Sequence, residues 1–372
     1  MTRGEAAPAM GTTAGPGHGD TTATTPLLTV EDLGVAFGPE GRSVPAVDGV
    51  SFEVHPGETL GIVGESGSGK SVTVMSLLGL IPQPPGRIVS GRARFEGDDL
   101  LSMSRKQMRA VRGRQIGMVF QDAMTALNPV LTVGFQIMET LRTHDRDLSS
   151  KDAMARAVDL LDQVGVPNPS RRATEYPHQF SGGMRQRAMI AVAMANRPRL
   201  LIADEPTTAL DVMIQAQVLG VLEKAQADTN AATILITHDL GVVAEMANRV
   251  AVMYAGRIVE TGTVSEVFES PKHPYTVGLL ASLPRLDTDT ERLVPIRGNP
   301  PDPHHLPTGC RFHTRCDLMQ DRERCRTTDP VLVPLGPGRA SRCHFADEVG
   351  AFAGRLEQKM HSSEEGPDHG VA

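Results

Sequence analysis

The octapeptide Gly64-Glu65-Ser66-Gly67-Ser68-Gly69-Lys70-Ser71 constrains this chain more than any other stretch. Its spacing is G-x-x-x-x-G-K-[ST], that of a loop which wraps nucleotide phosphates. A β-type run from Thr59 to Val63 leads into it, and an apolar, helix-like run from Val72 to Leu80 follows. Glycines allow a turn tight enough for successive backbone N–H groups to face one anion. The N-terminus of the following helix adds partial positive charge. Lys70 is placed to reach the β- and γ-phosphates, and the Ser71 hydroxyl to bind Mg²⁺. A Gly-rich strand-to-helix turn that binds nothing is the plain alternative, so the decision rests on the rest of the chain.

At 372 residues the chain has room for one large or two modest domains, and 40% apolar residues suffice for a core. A net charge of −7 argues against general nucleic-acid binding, which calls for a basic footprint. No run of 18 apolar residues is present, so no membrane span is expected. Residues 1–26 lack the apolar centre of a signal peptide and are small, polar and Gly/Pro-rich, as in a disordered arm. Residues 351–372 are expected to form a flexible tail, most clearly from about Lys359. A long cysteine-free stretch and the lack of an export signal point to the cytoplasm.

Leu27 to Phe37 and Val50 to Val54 alternate apolar and polar residues as half-buried strands do, with a turn at 38–43. Phe37, 33 residues before Lys70, is a candidate platform for an adenine ring or else an ordinary core residue. Ala93 to Phe95 and Ile116 to Phe120 read as further strands, the second running into Gln121. The period then turns helical up to Ser181, with a possible capping box at Ser149-x-x-Asp152. This predicts a small helical subdomain, about 122–195, inserted in an α/β core. At its end, Ser181-Gly182-Gly183 opens a helix and offers a hydroxyl, free N–H groups and a dipole to an anion, or simply an N-cap. Leu200 to Ala203 then deliver Asp204 and Glu205 as a buried parallel strand delivers carboxylates to a site at its end. Asp204 would hold Mg²⁺ and Glu205 would polarise an attacking water. Thr208-Ala209-Leu210-Asp211 opens another helix, and a strand from Thr233 to Thr237 ends in His238, where a γ-phosphate contact is plausible.

Taken in order, the phosphate loop, Gln121, SGGMRQ, LLIADEP, TALD and His238 resemble an ABC-transporter nucleotide-binding subunit over residues 27–265. The resemblance implies an α/β P-loop NTPase fold and a head-to-tail dimer. ATP would lie between the phosphate loop of one subunit and the Ser-Gly-Gly helix of the other. It also implies that Gln121 connects Mg²⁺ and water to the membrane subunits and that Asp211 lies at the dimer seam. Two departures stand out: FSGGM where LSGGQ is commoner, and Val72 where a second Thr usually follows Lys-Ser. Residues 270–286 and 296–316 resemble the extension of oligopeptide and dipeptide importer ATPases, a branch that includes nickel importers, here with a small cysteine-containing extension over 266–350. That resemblance implies two membrane permease subunits, a second ATPase subunit (a copy or a paralogue), an extracytoplasmic peptide-binding protein and a place on the cytoplasmic face of the membrane. No nucleic-acid partner is expected.

All four cysteines, Cys310, Cys316, Cys325 and Cys343, fall in that extension. Four thiols so clustered in a reduced compartment suggest a metal site, not disulfides. Tetrathiolate ligation suits a [4Fe–4S] cluster or Zn²⁺, the missing C-x₂-C knuckle weakens zinc, and free thiols or a disulfide are the plain alternative. Similar importer ATPases are reported to hold an iron–sulfur cluster on such cysteines. The linker into this module is placed near Arg285, and the module is expected to stand apart from the phosphate loop. Two other functions compete: a non-transport ABC ATPase acting on DNA or ribosomes, and a redox sensor with a vestigial ATPase. A single phosphate loop and a short helical insertion disfavour the first; the intact Glu205 and His238 disfavour the second.

Overall fold

The computed structural model describes residues 25–39, 41–208, 210–282 and 295–362. The expected arm up to residue 24, the linker at Arg285 and residues 363–372 of the expected tail lie outside the described residues.

Strand β1 (Leu28–Phe37) pairs antiparallel with β2 (Val44–Val54), Leu28 opposite Val54 and Phe37 opposite Val44. Next, β3 (Thr59–Val63) enters the main sheet and passes through the Gly-rich loop into α1 (Lys70–Leu77). Strand β4 (Gly86–Phe95) returns to the other edge of β1, and β5 (Asp98–Asp99) completes a four-stranded sheet of order β2-β1-β4-β5. Helix α2 (Arg105–Val111) and β6 (Ile116–Val119) precede the helical stretch. That stretch holds α3 (Ala123–Ala126), α4 (Val133–His144), α5 (Ser150–Gln163), α6 (Pro169–Arg172) and α7 (Gly182–Met194).

The chain then alternates strand and helix: β7 (Leu200–Asp204), α8 (Val212–Thr229), β8 (Ala232–Thr237), α9 (Leu240–Met246) and β9 (Arg249–Tyr254). Strands β3, β7 and β8 are buried along their whole length, which is why they read as unbroken apolar runs. Their register is parallel, with Gly61 beside Leu235 and Ala203 also beside Leu235. The carboxyl ends of β3, β8, β7 and β6 therefore fall side by side, the edge at which open α/β sheets bind ligands.

Beyond β9 come β10 (Arg257–Thr263), α10 (Val264–Glu269), α11 (Pro274–Ala281), α12 (Glu323–Thr327), β11 (Val333–Gly336), β12 (Arg339–Ser341) and α13 (Val349–Ser362). The extension, expected to stand apart from the phosphate loop, is joined to the core. Strand β12 pairs with β10, Glu260 opposite Ser341, so the main sheet among the described residues runs β11-β12-β10-β9-β3-β8-β7-β6. One buried cluster joins Val63, Val252 and Tyr254 of the ATPase core to Tyr275, Phe312, Cys316 and Val349 of the extension.

Two smaller corrections follow. Residues 351–362 are helical where a flexible tail was expected, because Val349, Phe352, Ala353 and Leu356 form an i, i+3, i+4, i+7 face packed on that cluster. At the start of α5, Ser149 caps the N–H of Asp152 at 3.1 Å, but the reciprocal half of the box is missing. The Asp152 carboxylate, one methylene shorter than the usual Glu, accepts from the Ser149 hydroxyl at 2.6 Å instead of from its backbone.

Candidate active site

The phosphate loop follows β3 directly, and its first glycine is sterically required. Gly64 has φ +150°, and a Cβ there would lie 2.1 Å from the carbonyl oxygen of Met253. Lys70 is only 4% exposed and donates from Nζ to the carbonyls of Gly64 (2.7 Å) and Glu65 (3.0 Å). Burial pushes the Lys70 pKa down, and the carboxylates of Glu205, Asp204 and Glu65 pull it back up. The Ser68 hydroxyl is buried without a partner in the same loop. An ammonium satisfied only by carbonyls and an orphaned hydroxyl are groups that a phosphate would satisfy.

Ser71 opens the second half of the site by donating to Asp204 Oδ1 at 2.8 Å. Asp204 ends β7 at 4% exposure, and burial lifts its pKa. The Ser71 hydrogen bond lowers it, Glu205 raises it and Lys70 lowers it again. A hydroxyl and a carboxylate oxygen facing each other at this distance are the hard oxygen donors that Mg²⁺ takes. Val72 brings no such donor; its side chain packs against the core, which leaves only its backbone N–H for a ligand.

Glu205 sits in the left-handed region at φ +46°, held by its N–H donating to the Ile236 carbonyl at 2.8 Å. This turns its carboxylate toward the neighbouring strand ends. Gln121 Nε2 donates to Oε2 at 2.8 Å, Thr208 Oγ1 donates to the same oxygen at 2.9 Å, and His238 Nδ1 lies 3.7 Å from Oε1. Gln121 follows β6, Glu205 follows β7 and His238 follows β8, so adjacent strands deliver all three. Thr208 lies in the TALD segment and was not singled out from the sequence; Ala209 beside it lies outside the described residues.

Phe37 ends β1, half-buried against the core, and lines a cavity with Ser66, Gly67 and Ser68. The core-residue reading accounts for its packing, and its place beside the phosphate loop leaves room for the platform reading. Ser181 caps α7, its hydroxyl accepting from Met184 N–H at 3.4 Å, and it stays exposed with Gly182. Gly183 is buried against α8, where a Cβ would lie 2.5 Å from Ile214 Cγ2. Asp211 caps α8 through Ile214 N–H at 3.0 Å. No hydrogen bond among the described residues joins Ser181, Gly182, Gly183 or Asp211 to the phosphate loop.

The four cysteines are free thiols that line one cavity with Phe312, Leu318 and Phe345. Burial pushes Cys310 up to about 11 and Cys316 and Cys343 up to about 12, and raises Cys325 as well. The thiols are thus protonated at neutral pH as they stand. Among the described residues no group of three or more His, Cys, Asp or Glu is arranged to hold one metal ion. That holds for Zn²⁺, which needs sulfurs converging on one point at about 2.3 Å, and for a [4Fe–4S] cluster alike.

The expected separation between this cavity and the phosphate loop is overturned. Arg315, next to Cys316 in sequence and 4% exposed, makes a two-pronged ion pair with Glu65, at 2.6 Å to Oε2 and 2.9 Å to Oε1. Glu65 was assigned to the nucleotide-binding set, but its carboxylate is committed to Arg315 and its N–H donates to Tyr275 Oη at 2.8 Å. Only its backbone carbonyl faces Lys70.

A phosphate loop, a Ser–Asp oxygen pair and a Gln–Glu–His set on adjacent parallel strand ends, with an inserted helical stretch, define an ATPase of the ATP-binding-cassette class. Residues 47–208 match the ABC transporter family, and residues 259–325 match the oligopeptide/dipeptide transporter C-terminal region. The chain is 50% identical to the dipeptide transport ATP-binding protein DppD of Escherichia coli (strain K12), over 87% of this chain and 98% of that one. It is 56% identical to the oligopeptide transport ATP-binding protein OppD of Bacillus subtilis (strain 168), over 78% and 81%. Among solved structures it is similar to a dimeric post-hydrolysis state of the ATP-binding cassette MJ0796 bound to ADP and Pi. That match has a TM-score of 0.57 and 26% identity, covering 64% of this chain and 98% of the other. The chain belongs to the ABC transporter family, among the ATP-binding subunits of oligopeptide and dipeptide importers. Among the described residues no helix is long and apolar enough to cross a membrane.

Proposed function

We propose that this chain powers peptide import from the cytoplasmic face of the membrane, as one of two cassettes that close head to tail on ATP. The observation that carries the reading is the convergence of Lys70, Ser71–Asp204 and Gln121–Glu205–His238 on one edge of the sheet. ATP would lie with its phosphates on residues 64–71 and its base against Phe37. Ser71, Asp204 and, through water, Gln121 would hold Mg²⁺, which neutralises phosphate charge. Glu205 orients the attacking water, while Lys70 and His238 stabilise charge on the γ-phosphate. The exposed Ser181-Gly182 end of α7 would complete the neighbour's site, with Asp211 at the seam. The exposed Val212 and Met213 beside Asp211 (81% and 75%) are apolar surface suited to such a seam. The membrane side would comprise two permease subunits and an extracytoplasmic peptide-binding protein, the permeases meeting the exposed Val130 and Phe135 beyond Gln121.

For the extension, we propose that Cys310, Cys316, Cys325 and Cys343 are thiolate ligands of a [4Fe–4S] cluster. Its support is that all four thiols of the chain face one cavity walled by apolar side chains. Loading the cluster must displace the thiol protons.

The head-to-tail claim is tested by mixing two inactive variants. Lys70→Ala removes the phosphate contact, and Ser181→Ala removes the hydroxyl given to the neighbour. In a mixed dimer one site carries both lesions and the other carries neither. Equal mixing should restore about a quarter of wild-type turnover, since half the dimers gain one good site. With a paralogous partner, the two substitutions should disable opposite sites. No recovery, or both lesions falling on one site, would overturn the arrangement.

A further inference from the structure

A cavity of about 170 Å³ opens at the rim of the phosphate loop. Phe37, Val44, Ser66, Gly67 and Ser68 of the ATPase core line it. The extension adds Pro300, Pro301, Pro303 and Leu306 to the same lining. We propose that this proline-rich segment is the second wall of the base-and-ribose end of the ATP site, facing Phe37. The proposal rests on the reading of Phe37 as the base platform.

Three observations carry it. First, the cavity is continuous with the phosphate loop, so a nucleotide whose phosphates lie on that loop projects its sugar and base into this space. Second, the wall is anchored to the loop itself. Arg315, while paired with Glu65, donates from Nε to the carbonyl of Arg297 at 3.0 Å, at the start of the segment. At its far end, Thr308 Oγ1 donates to the Arg326 carbonyl at 3.0 Å. Third, the segment is stiffened from within. His304 N–H donates to Asp302 Oδ1 at 2.9 Å, and prolines at 300, 301, 303 and 307 restrict the unbound chain. A pre-ordered apolar wall loses little entropy when a flat base slides against it. One guanidinium thus fixes the position of this wall relative to the phosphates, and the extension becomes part of the nucleotide site.

The test compares Mg·ATP with Mg·tripolyphosphate, which has the phosphates but no sugar or base, on the full chain. Leu306→Ala should weaken ATP binding by about three- to tenfold, the effect of removing one partly buried apolar side chain. Tripolyphosphate affinity should be unchanged, and Leu306→Met should bind ATP as the wild type does. Phe37→Ala is measured alongside. If Phe37→Ala weakens ATP binding and Leu306→Ala does not, the wall is overturned while the base platform stands. If both bind ATP normally, the base-end reading fails as well. Equal loss of ATP and tripolyphosphate affinity in Leu306→Ala would place the effect in the phosphate loop and overturn the wall.

Discussion

Glu205→Gln is expected to lower ATP turnover by about 10²- to 10⁴-fold, the range for removal of a general base, while ATP still binds. The substitution preserves shape and leaves the backbone anchor to Ile236 untouched. Gln121 and Thr208 both donate to Oε2, and the Gln side-chain oxygen can accept from them as before. What disappears is the negative charge and the ability to take a proton from water. Ground-state binding through Lys70, Ser71 and the loop amides does not depend on that carboxylate. The closed, ATP-loaded dimer should therefore accumulate. Phosphate release under saturating Mg·ATP gives the rate, and gel filtration with and without ATP shows the dimer. Turnover near the wild-type rate would remove Glu205 from its role.

Replacing any one of the four cysteines with Ser is expected to abolish iron binding. Anaerobically purified wild-type protein should be brown, absorb broadly in the visible and contain about four irons per chain, as a Cys₄ cluster requires. Cys325→Ser should be colourless. It should also bind ATP more weakly, by a few-fold, because the loops around the thiols carry Arg315, and Arg315 holds Glu65 and Arg297. Stoichiometric zinc in a colourless wild-type protein would replace the cluster with a structural ion. Metal-free protein whose four thiols all react with an alkylating agent in the native state would remove both.

The ATP site was largely legible in the sequence because each of its parts is local. A fully buried parallel strand reads as an apolar run, and the residue after it is automatically at the ligand-binding edge. Asp204, Glu205 and His238, at the ends of β7 and β8, needed only that reasoning, and Lys70 only the spacing of its loop. Thr208 lay inside a recognised segment, but only the turn after β7 shows its hydroxyl reaching Glu205. Val72 stands where a second Thr usually follows Lys-Ser, and its partly buried side chain, packed on the core, shows what position alone cannot.

The extension's contacts with the core were not legible, for a different reason. Its contacts with the core are pairings across long sequence separations, and neither periodicity nor composition records them. Glu65 and Arg315 lie 250 residues apart, and nothing near either one announces the other. Strand β12 is three residues long, too short to stand out as a strand, yet it joins the extension to the main sheet. Helix α13 did carry a signal, the apolar face at 349, 352, 353 and 356, hidden by the polar residues that follow it.

The most direct measurement is peptide uptake by the assembled transporter. The chain, its partner cassette, both permease subunits and the peptide-binding protein are reconstituted in proteoliposomes, and entry of a labelled dipeptide or oligopeptide is followed with ATP on the cassette side. Uptake is expected to require ATP, to rise together with phosphate release, and to vanish with Glu205→Gln. Undiminished uptake by Glu205→Gln assemblies, or brisk ATP hydrolysis by the complete assembly with no movement of any peptide, would contradict the assignment.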